Sequence, residues 1–410
     1  MEAGGSSFNR GRADSVLEVF WVFLKLGVTS FGGPVAHIGY FHREFVKRRG
    51  WLDDETFTDL VSLCQFLPGP ASSQLGFSIG LLRAGWGGCL AAWCGFTLPS
   101  VALLVAFAVV TPTLSGTVGS GLIHGLKLVA VAVVAQAVWD MARRLCPDHR
   151  RAAIALVAVG VLHVLITVYA QLLVIVLGAL LGFVLCRTSA KAGSASVREC
   201  RDGFRVSRTA SAVAMTVFCV LLFGFPALAT SDPTGSIRIF NAFYRSGALV
   251  FGGGHVVLPL LQQATVAAGW VSSTDFLAGY GAAQAIPGPL FTFAAFLGWI
   301  ANMPGHAWGA LLGTAGIFLP GLLLVLSALP YWQSLRARPA AVAVLSGANA
   351  AVVGVLATAL YSPVWTSAVF SGRDFAIAIV GFLLLTRWKF PPLAIVVLSA
   401  AAGIAEAMLR

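Results

Sequence analysis

The sequence predicts an all-α polytopic membrane protein. It is built from two inverted structural repeats with broken, re-entrant helical hairpins, giving about 10–13 membrane segments. Three observations carry this prediction: the composition, a pair of helix breaks that occurs twice, and a charge contrast between equivalent loops. The 410 residues are 58% hydrophobic and only 10% charged, with mean hydropathy +0.86. A soluble globular chain carries about 25% charge. Apolar runs recur along the whole length, and Ala152–Leu185 contains no Lys, Arg, Asp or Glu.

The first residues are polar and carry Arg10, Arg12 and Asp14, with no apolar core of a signal peptide before Val16. Insertion is expected through the first hydrophobic segment, with the N-terminus cytoplasmic. The net charge of +11 does not point to nucleic acid, because the basic residues sit in short loops between apolar runs. Cytoplasmic loops of membrane proteins are rich in Lys and Arg. The partner implied by composition is the lipid bilayer. None of the seven cysteines forms a CxxC pair, and Cys89 and Cys94 suit no common metal spacing. No disulfide framework, metal or cofactor is predicted. Few carboxylates lie in the apolar segments and no HExxH is present, which argues against an enzyme.

The repeat is explicit in the residues. Phe31-Gly32-Gly33 recurs as Phe251-Gly252-Gly253, and Gly50-Trp51 as Gly269-Trp270. Gln65-x-x-Pro68-Gly69-Pro70 recurs as Gln284-x-x-Pro287-Gly288-Pro289. Pro99 matches Pro320, Gly125 matches Gly347, and Gly182 matches Gly403. The expected organisation is an N-terminal repeat over residues 1–187, a basic linker plus one unpaired crossing helix over 188–235, and a C-terminal repeat over 236–410. A single unpaired crossing helix turns the second copy upside down, as in many secondary transporters. The loops agree: Phe41–Trp51 carries Arg43, Lys47, Arg48 and Arg49, whereas Leu261–Ser272 carries no charge.

In the first repeat Val16–Arg49 and Phe57–Leu82 read as hairpins that enter and leave on one side, with single crossing helices for some of them as the alternative that the sequence leaves open. Gly85–Val110, Leu122–Met141, Ala152–Val168 and Gln171–Leu185 then cross, Thr209–Thr230 crosses alone, and the second half repeats the pattern. Most glycines, including Gly76, Gly80, Gly178 and Gly182, read as close helix packing. The FGG and PGP sites differ because they recur in register. Pro is favoured at the first position of a helix, so new helix N-termini are expected at about Pro34, Pro70, Gly254 and Pro289. Val16–Ser30 makes roughly 22 Å of helix, short of about 30 Å of hydrocarbon. The breaks therefore fall at membrane depth, around a cavity. Four helix N-termini with exposed N–H groups form a site for an anion.

The candidate substrate-binding residues follow from that geometry. They are Lys25, Ser30, Gly32, Gly33, Pro34, Gln65, Pro68, Gly69, Pro70 and Ser72 in the first half. In the second half they are Arg245, Gly252, Gly253, Gly254, His255, Gln284, Pro287, Gly288 and Pro289. Lys25 and Arg245 are repeat equivalents, each six residues before its FGG, and a cation at mid-bilayer is costly enough to suggest a role. The amides of Gln65 and Gln284 could donate to an oxyanion. His37, Lys127 and Asn349 are accessory candidates; Lys127 and Asn349 are repeat partners.

The run Phe31-Gly32-Gly33-Pro34-Val35-Ala36-His37-Ile38, followed by Gln65-Phe66-Leu67-Pro68-Gly69-Pro70, resembles the chromate ion transporter (CHR) family in its long, two-half form. The resemblance implies a multi-pass protein of the bacterial inner membrane that exports chromate and confers chromate resistance, with sulfate as a competing anion. The second half departs from the motif, with Gly254-His255 in place of Pro34-Val35 and Val257 in place of His37. Helix ends and cations fit a divalent tetrahedral oxyanion. They leave open a sulfate or other oxyanion permease or exchanger, an anion channel, and whether the chain works as a homo-oligomer.

Overall fold

The computed structural model describes residues 16–114, 116–165, 170–186, 206–229, 232, 234–336 and 338–409. The basic linker expected between the halves lies almost wholly outside the described residues. Every regular element among those described is a helix, and six helical stretches are long and apolar enough to cross a membrane. The chain is a polytopic all-α membrane protein.

In the first half, α1 (Val16–Thr29) runs into the FGG turn and α2 (Gly33–Phe41) leaves it, continuing as a π-helical stretch His42–Arg48. The start of α1 and the end of that stretch lie together, because Arg49 Nη1 is 3.1 Å from Glu18 Oε1. The segment α3 (Asp54–Phe66) follows, started by Asp53, whose carboxylate accepts the Thr56 N–H at 2.7 Å. After the PGP turn comes α4 (Ala71–Val110), broken at Ala84 and Gly85, where the backbone leaves the helical region. It is two arms folded back on each other. A Cβ on Gly80 would stand 2.4 Å from the Gly88 carbonyl oxygen, a contact impossible along one straight helix. Arg83, at the end of the first arm, lies over the Trp51 ring at 5.1 Å, just before α3 begins. Both broken segments thus return to the level from which they start.

Next come α5 (Gly116–Leu145), α6 (His149–Val164) and α7 (Ala170–Leu185). Arg150 Nη1 donates to the Leu185 carbonyl at 2.8 Å, so α6 and α7 run out and back. The helices α8 (Arg208–Phe223) and α9 (Phe225–Ala229) have no partner in the repeat. Here α8 is peripheral; Ser211 Oγ donates to the Ser327 carbonyl at 2.6 Å.

The second half repeats the order. The first broken segment is α10 (Ser236–Ala248) and α11 (Val257–Thr265); the second is α12 (Ser273–Ala283) and α13 (Phe293–Ala301). Then come α14 (His306–Ala328), the short α15 (Trp332–Arg336), α16 (Pro339–Ala359), α17 (Gly372–Thr386) and α18 (Pro392–Leu409). The Met303 side chain lies against Gly235, where α10 begins.

Two seams of small residues join the halves. The α5 glycines Gly121 and Gly125 press on α18, and a Cβ at Gly125 would stand 2.4 Å from the Ser399 carbonyl oxygen. Gly178 and Gly182 of α7 press on α16, with Gly347 against Gly182. Gly125 is the repeat partner of Gly347, and Gly182 of Gly403, so the same seam is built twice with the halves exchanged. Close backbone approach drives helix association where lipid removes the hydrophobic drive. The opposite faces are apolar and exposed, as at Leu156, Val164, Leu180 and Val184.

Candidate functional site

The FGG and PGP turns of opposite halves pair through their backbones. The Gly69 N–H donates to the Val250 carbonyl at 2.8 Å, and the Gly288 N–H donates to the Ser30 carbonyl at 2.9 Å. Ser30 and Val250 each precede an FGG, and Gly69 and Gly288 are the central residues of the PGP turns. So each PGP turn is held by the FGG turn of the other half. The two FGG turns also meet: a Cβ on Gly254 would lie 3.2 Å from Pro34 Cγ, and these residues are repeat equivalents.

The proline-kinked helices close the arrangement from behind. Ser100 Oγ, next to Pro99, donates to the Pro287 carbonyl at 2.6 Å. In the other half the equivalent of Ser100 is Gly321, and Gln74 Nε2 donates both to its carbonyl at 3.0 Å and to the Pro68 carbonyl at 2.9 Å. The glycines are dictated by backbone: Gly69 has φ +120 and Gly288 φ +94, a region that L side chains rarely adopt. A Cβ on Gly288 would stand 2.1 Å from Ser100 Oγ.

New helices begin at Gly33, Ala71, Gly254 and Leu290, within a residue of the sequence expectation. None of the four has a side-chain cap on its first N–H groups. The two in the second half open as single 3-10 turns. Buried polar atoms without a partner gather on the same segments: Ser30 Oγ, Ser73 Oγ, Thr97 Oγ1 and Gln284 Nε2, with Gln74 Oε1 and His37 Nδ1. The first four donate. His37 Nε2 donates to the Ser30 carbonyl at 3.1 Å, so in neutral His37 the orphaned Nδ1 is an acceptor. A buried unpaired polar group costs about 1–3 kcal/mol, and a hydrated anion would satisfy both kinds.

The remaining candidates divide. Ser72 and Thr292 are buried beside the PGP turns, and Thr292 Oγ1 donates to the Pro289 carbonyl at 2.6 Å. His255 is half-buried, with Nδ1 2.8 Å from the Tyr280 hydroxyl. Asn349 lies beside Gly252. At equivalent positions Gly32 is exposed and Gly252 half-buried, and Pro34 is half-buried and Gly254 buried, so the first-half turn is the more open of the two. Arg245 is half-buried and lines a cavity of about 230 Å³ with Arg238, Asn241, Gln171 and Gln263.

Three candidates lie elsewhere. Lys25 is exposed: α1 buries Val19, Val22, Phe23, Leu26 and Gly27, which puts Lys25 on the outer face. Gln65 is likewise exposed, on the face of α3 opposite Phe57, Leu60 and Cys64. Lys127 is buried, but its ammonium sits over the Phe370 ring at 5.3 Å, in contact with the loop before α17. The buried amide on the first-half PGP is Gln74. Its position one turn into the new helix signals this, since Phe77 and Ser78 share its buried side.

The fold is that of a polytopic all-α membrane protein whose helix breaks from opposite halves pair and carry uncapped backbone N–H groups and buried hydroxyls. The model of a family described as "Chromate transporter" matches residues 17–183 and again 237–404, and the chain belongs to that family. It is 26% identical to a "Probable chromate transport protein" of Synechococcus elongatus, over 96% of both chains. It is 28% identical to a "Chromate transport protein" of Pseudomonas aeruginosa, over 95% of this chain and 91% of that one. An "Uncharacterized transporter" of Bacillus subtilis is 26% identical over 124 residues, which is 30% of this chain but 70% of the relative. No solved structure matches the chain.

Proposed function

We propose that the chain is a secondary transporter that exports chromate across the bacterial inner membrane and so confers chromate resistance. It works by alternating access around an anion site at the paired FGG and PGP turns. The observation that carries this is the reciprocal pairing, Gly69 to Val250 and Gly288 to Ser30, with uncapped helix starts and orphaned donors on the same segments. The names of the relatives supply chromate, and a tetrahedral dianion suits the chemistry.

The proposal includes an inverted relation of the halves, and contacts support it. The helix α14 follows Met303, which lies against Gly235 at the start of α10, touches Gly69 at Gly321, and leads into α15, whose Trp332 packs on Phe66 of the first half. The second arm of α4 starts beside Val16, touches Pro287 at Ser100, and ends among second-half side chains, with Phe107 stacked on Phe296. Two hairpin sets that meet tip to tip from opposite sides give each half a means to rock against the other. In the proposed orientation the basic loops face the cytoplasm, and an inside-negative potential favours outward movement of a dianion by about 2.3 kcal/mol per charge per 100 mV.

Uptake of labelled chromate into everted membrane vesicles tests this. Saturable uptake that sulfate competes is expected. Non-saturating conductance would make the protein a channel, and uptake of sulfate but not chromate would make it a sulfate permease.

A further inference from the structure

One face of α10 lines a cavity of about 230 Å³. Arg238, Asn241, Arg245, Ser246 and Leu249 fall at helical spacing and share that face. Gln171 of α7 lines it from the other half, and its Nε2 donates to the Pro259 carbonyl of α11 at 3.3 Å. The cavity therefore lies between the halves, with α7 from the first and α10 and α11 from the second.

Its charge is unbalanced: two guanidiniums line it and no carboxylate does. Arg238 is exposed, and its Nη2 donates to the Asp232 main-chain carbonyl at 3.2 Å. The Asp232 carboxylate itself is taken by the N–H groups of Thr234, Ile237 and Arg238. Arg245, about two turns deeper, is half-buried, and among the described residues its guanidinium makes no hydrogen bond or ion pair. Asn241 and Gln171 each carry a buried amide oxygen without a partner. A cavity with unpaired polar groups takes in water, whereas an apolar one stays dry.

We propose that this cavity is a second oxyanion-binding station, separate from the turns, which holds a tetrahedral dianion on Arg245 and Arg238. Its role in transport rests on the reading of the chain as a chromate exporter; the binding site does not. Two positive charges match a dianion. A guanidinium presents a planar fork of donors that meets two oxygens of such an anion at once. A cleft lined by one sign of charge between apolar walls focuses the field and concentrates the counter-ion. Leu260 of α11 and Trp270 after it supply such a wall. The Asn241 side chain adds an amide that can turn its NH2 to the anion.

Position gives the station its role. Leu249 lines the cavity, and the next residue, Val250, accepts the Gly69 N–H of the first PGP turn. The inner end of the cavity thus abuts the turns, and Arg238 stands at the other end. Gln171 lies at the end of α7 opposite Leu185, which is held by Arg150. The cavity is therefore on the side away from the basic loop between α5 and α6, which is the outer side in the proposed orientation. An anion released by the turns meets Arg245 first and Arg238 next. The first half has no such stripe. By the repeat, Arg238 corresponds to Glu18 and Asn241 to Trp21, while Lys25, in place of Arg245, faces outward. The station is one-sided, as an exit is.

Equilibrium dialysis of labelled chromate against the full-length protein, delipidated in a neutral detergent, tests the site. Wild type should bind chromate at two sites, and Arg245→Gln should lose one of them. Arg238 is exposed, so Arg238→Gln keeps the fold and should weaken the same site about tenfold, the worth of one charged hydrogen bond. Sulfate should compete there and nitrate should not. Binding that neither substitution weakens overturns the station, and so does equal competition by nitrate. The same chemistry would take the phosphate of a lipid headgroup. Mass spectrometry showing a phospholipid that wild type retains and Arg245→Gln loses therefore also overturns it. A single chromate site that Arg245→Gln abolishes keeps the station and sinks the site at the turns. In everted vesicles loaded with sulfate the station faces the lumen. Arg245→Gln should raise the lumenal sulfate that half-inhibits chromate uptake about tenfold, by more than it raises half-saturating chromate on the other side. An equal change on both sides overturns the exit role. Absence of any chromate uptake sinks the transporter reading, while dialysis still decides the station.

Discussion

Replacing Gly288 by Ala should disable the protein through one contact. The residue sits at φ +94, where an L side chain costs about 1–2 kcal/mol. Its new Cβ would stand 2.1 Å from Ser100 Oγ, 3.3 Å from the Phe96 carbonyl oxygen and 3.4 Å from the Gly27 carbonyl oxygen. Ser100 must move, and its 2.6 Å bond to the Pro287 carbonyl is lost. A buried acceptor left without a partner adds about 1–3 kcal/mol. The total is about 2–5 kcal/mol, which is a large share of a typical domain's stability.

Two companion variants separate strain from contact. Gly269→Ala, at φ +74 with nothing within 4 Å of its new Cβ, should carry only the conformational cost. Ser100→Gly, which copies Gly321 of the other half, should partly rescue Gly288→Ala by removing the colliding hydroxyl. The assay is fluorescence-detected thermal unfolding with vesicle uptake in parallel. If Gly288→Ala matches Gly269→Ala in both, or if Ser100→Gly gives no rescue, the account of the PGP packing is wrong.

Three further outcomes follow from the same structure. Thr97→Val removes an unpartnered buried hydroxyl, so it should raise the thermal midpoint, by about 1 kcal/mol, while weakening half-saturating chromate uptake; a loss of both would make Thr97 structural. With the native cysteines replaced, single cysteines at Lys47 and Ala268, the latter exposed after α11, should react with an impermeant reagent from opposite sides of the membrane, and labelling from one side would contradict the inverted relation. Burial acts to raise the Asp232 carboxyl, but hydrogen bonds from Thr234, Ile237 and Arg238 outweigh it and hold it below the usual carboxylate range. The stabilisation it gives α10 is therefore full above the ordinary carboxylate range, about pH 4, and is lost only as pH falls through the lowered value. Asp232→Asn should lower the midpoint at pH 7, and the gap should hold at pH 5.

The breaks were legible because they recur in register, and repetition separates a functional glycine from a packing one. The pairing of FGG with the opposite PGP was not legible, since it joins Ser30 to Gly288 and Gly69 to Val250 across the whole chain. Repeat equivalence fixes a position along a helix and not its face: Arg245 lines a cavity while Lys25 points outward. Gln65 likewise lies outward, and Gln74 holds the inner place.

The central claim is that the oxyanion is held where the FGG and PGP turns of the two halves meet. Chromium anomalous scattering from crystals grown with chromate tests it directly. The account predicts a peak within hydrogen-bonding reach of Ser30, Thr97 or Gln284 and of the first N–H groups of α2 or α4. A peak found only in the cavity beside Arg238 and Arg245, with none at the turns, would contradict it.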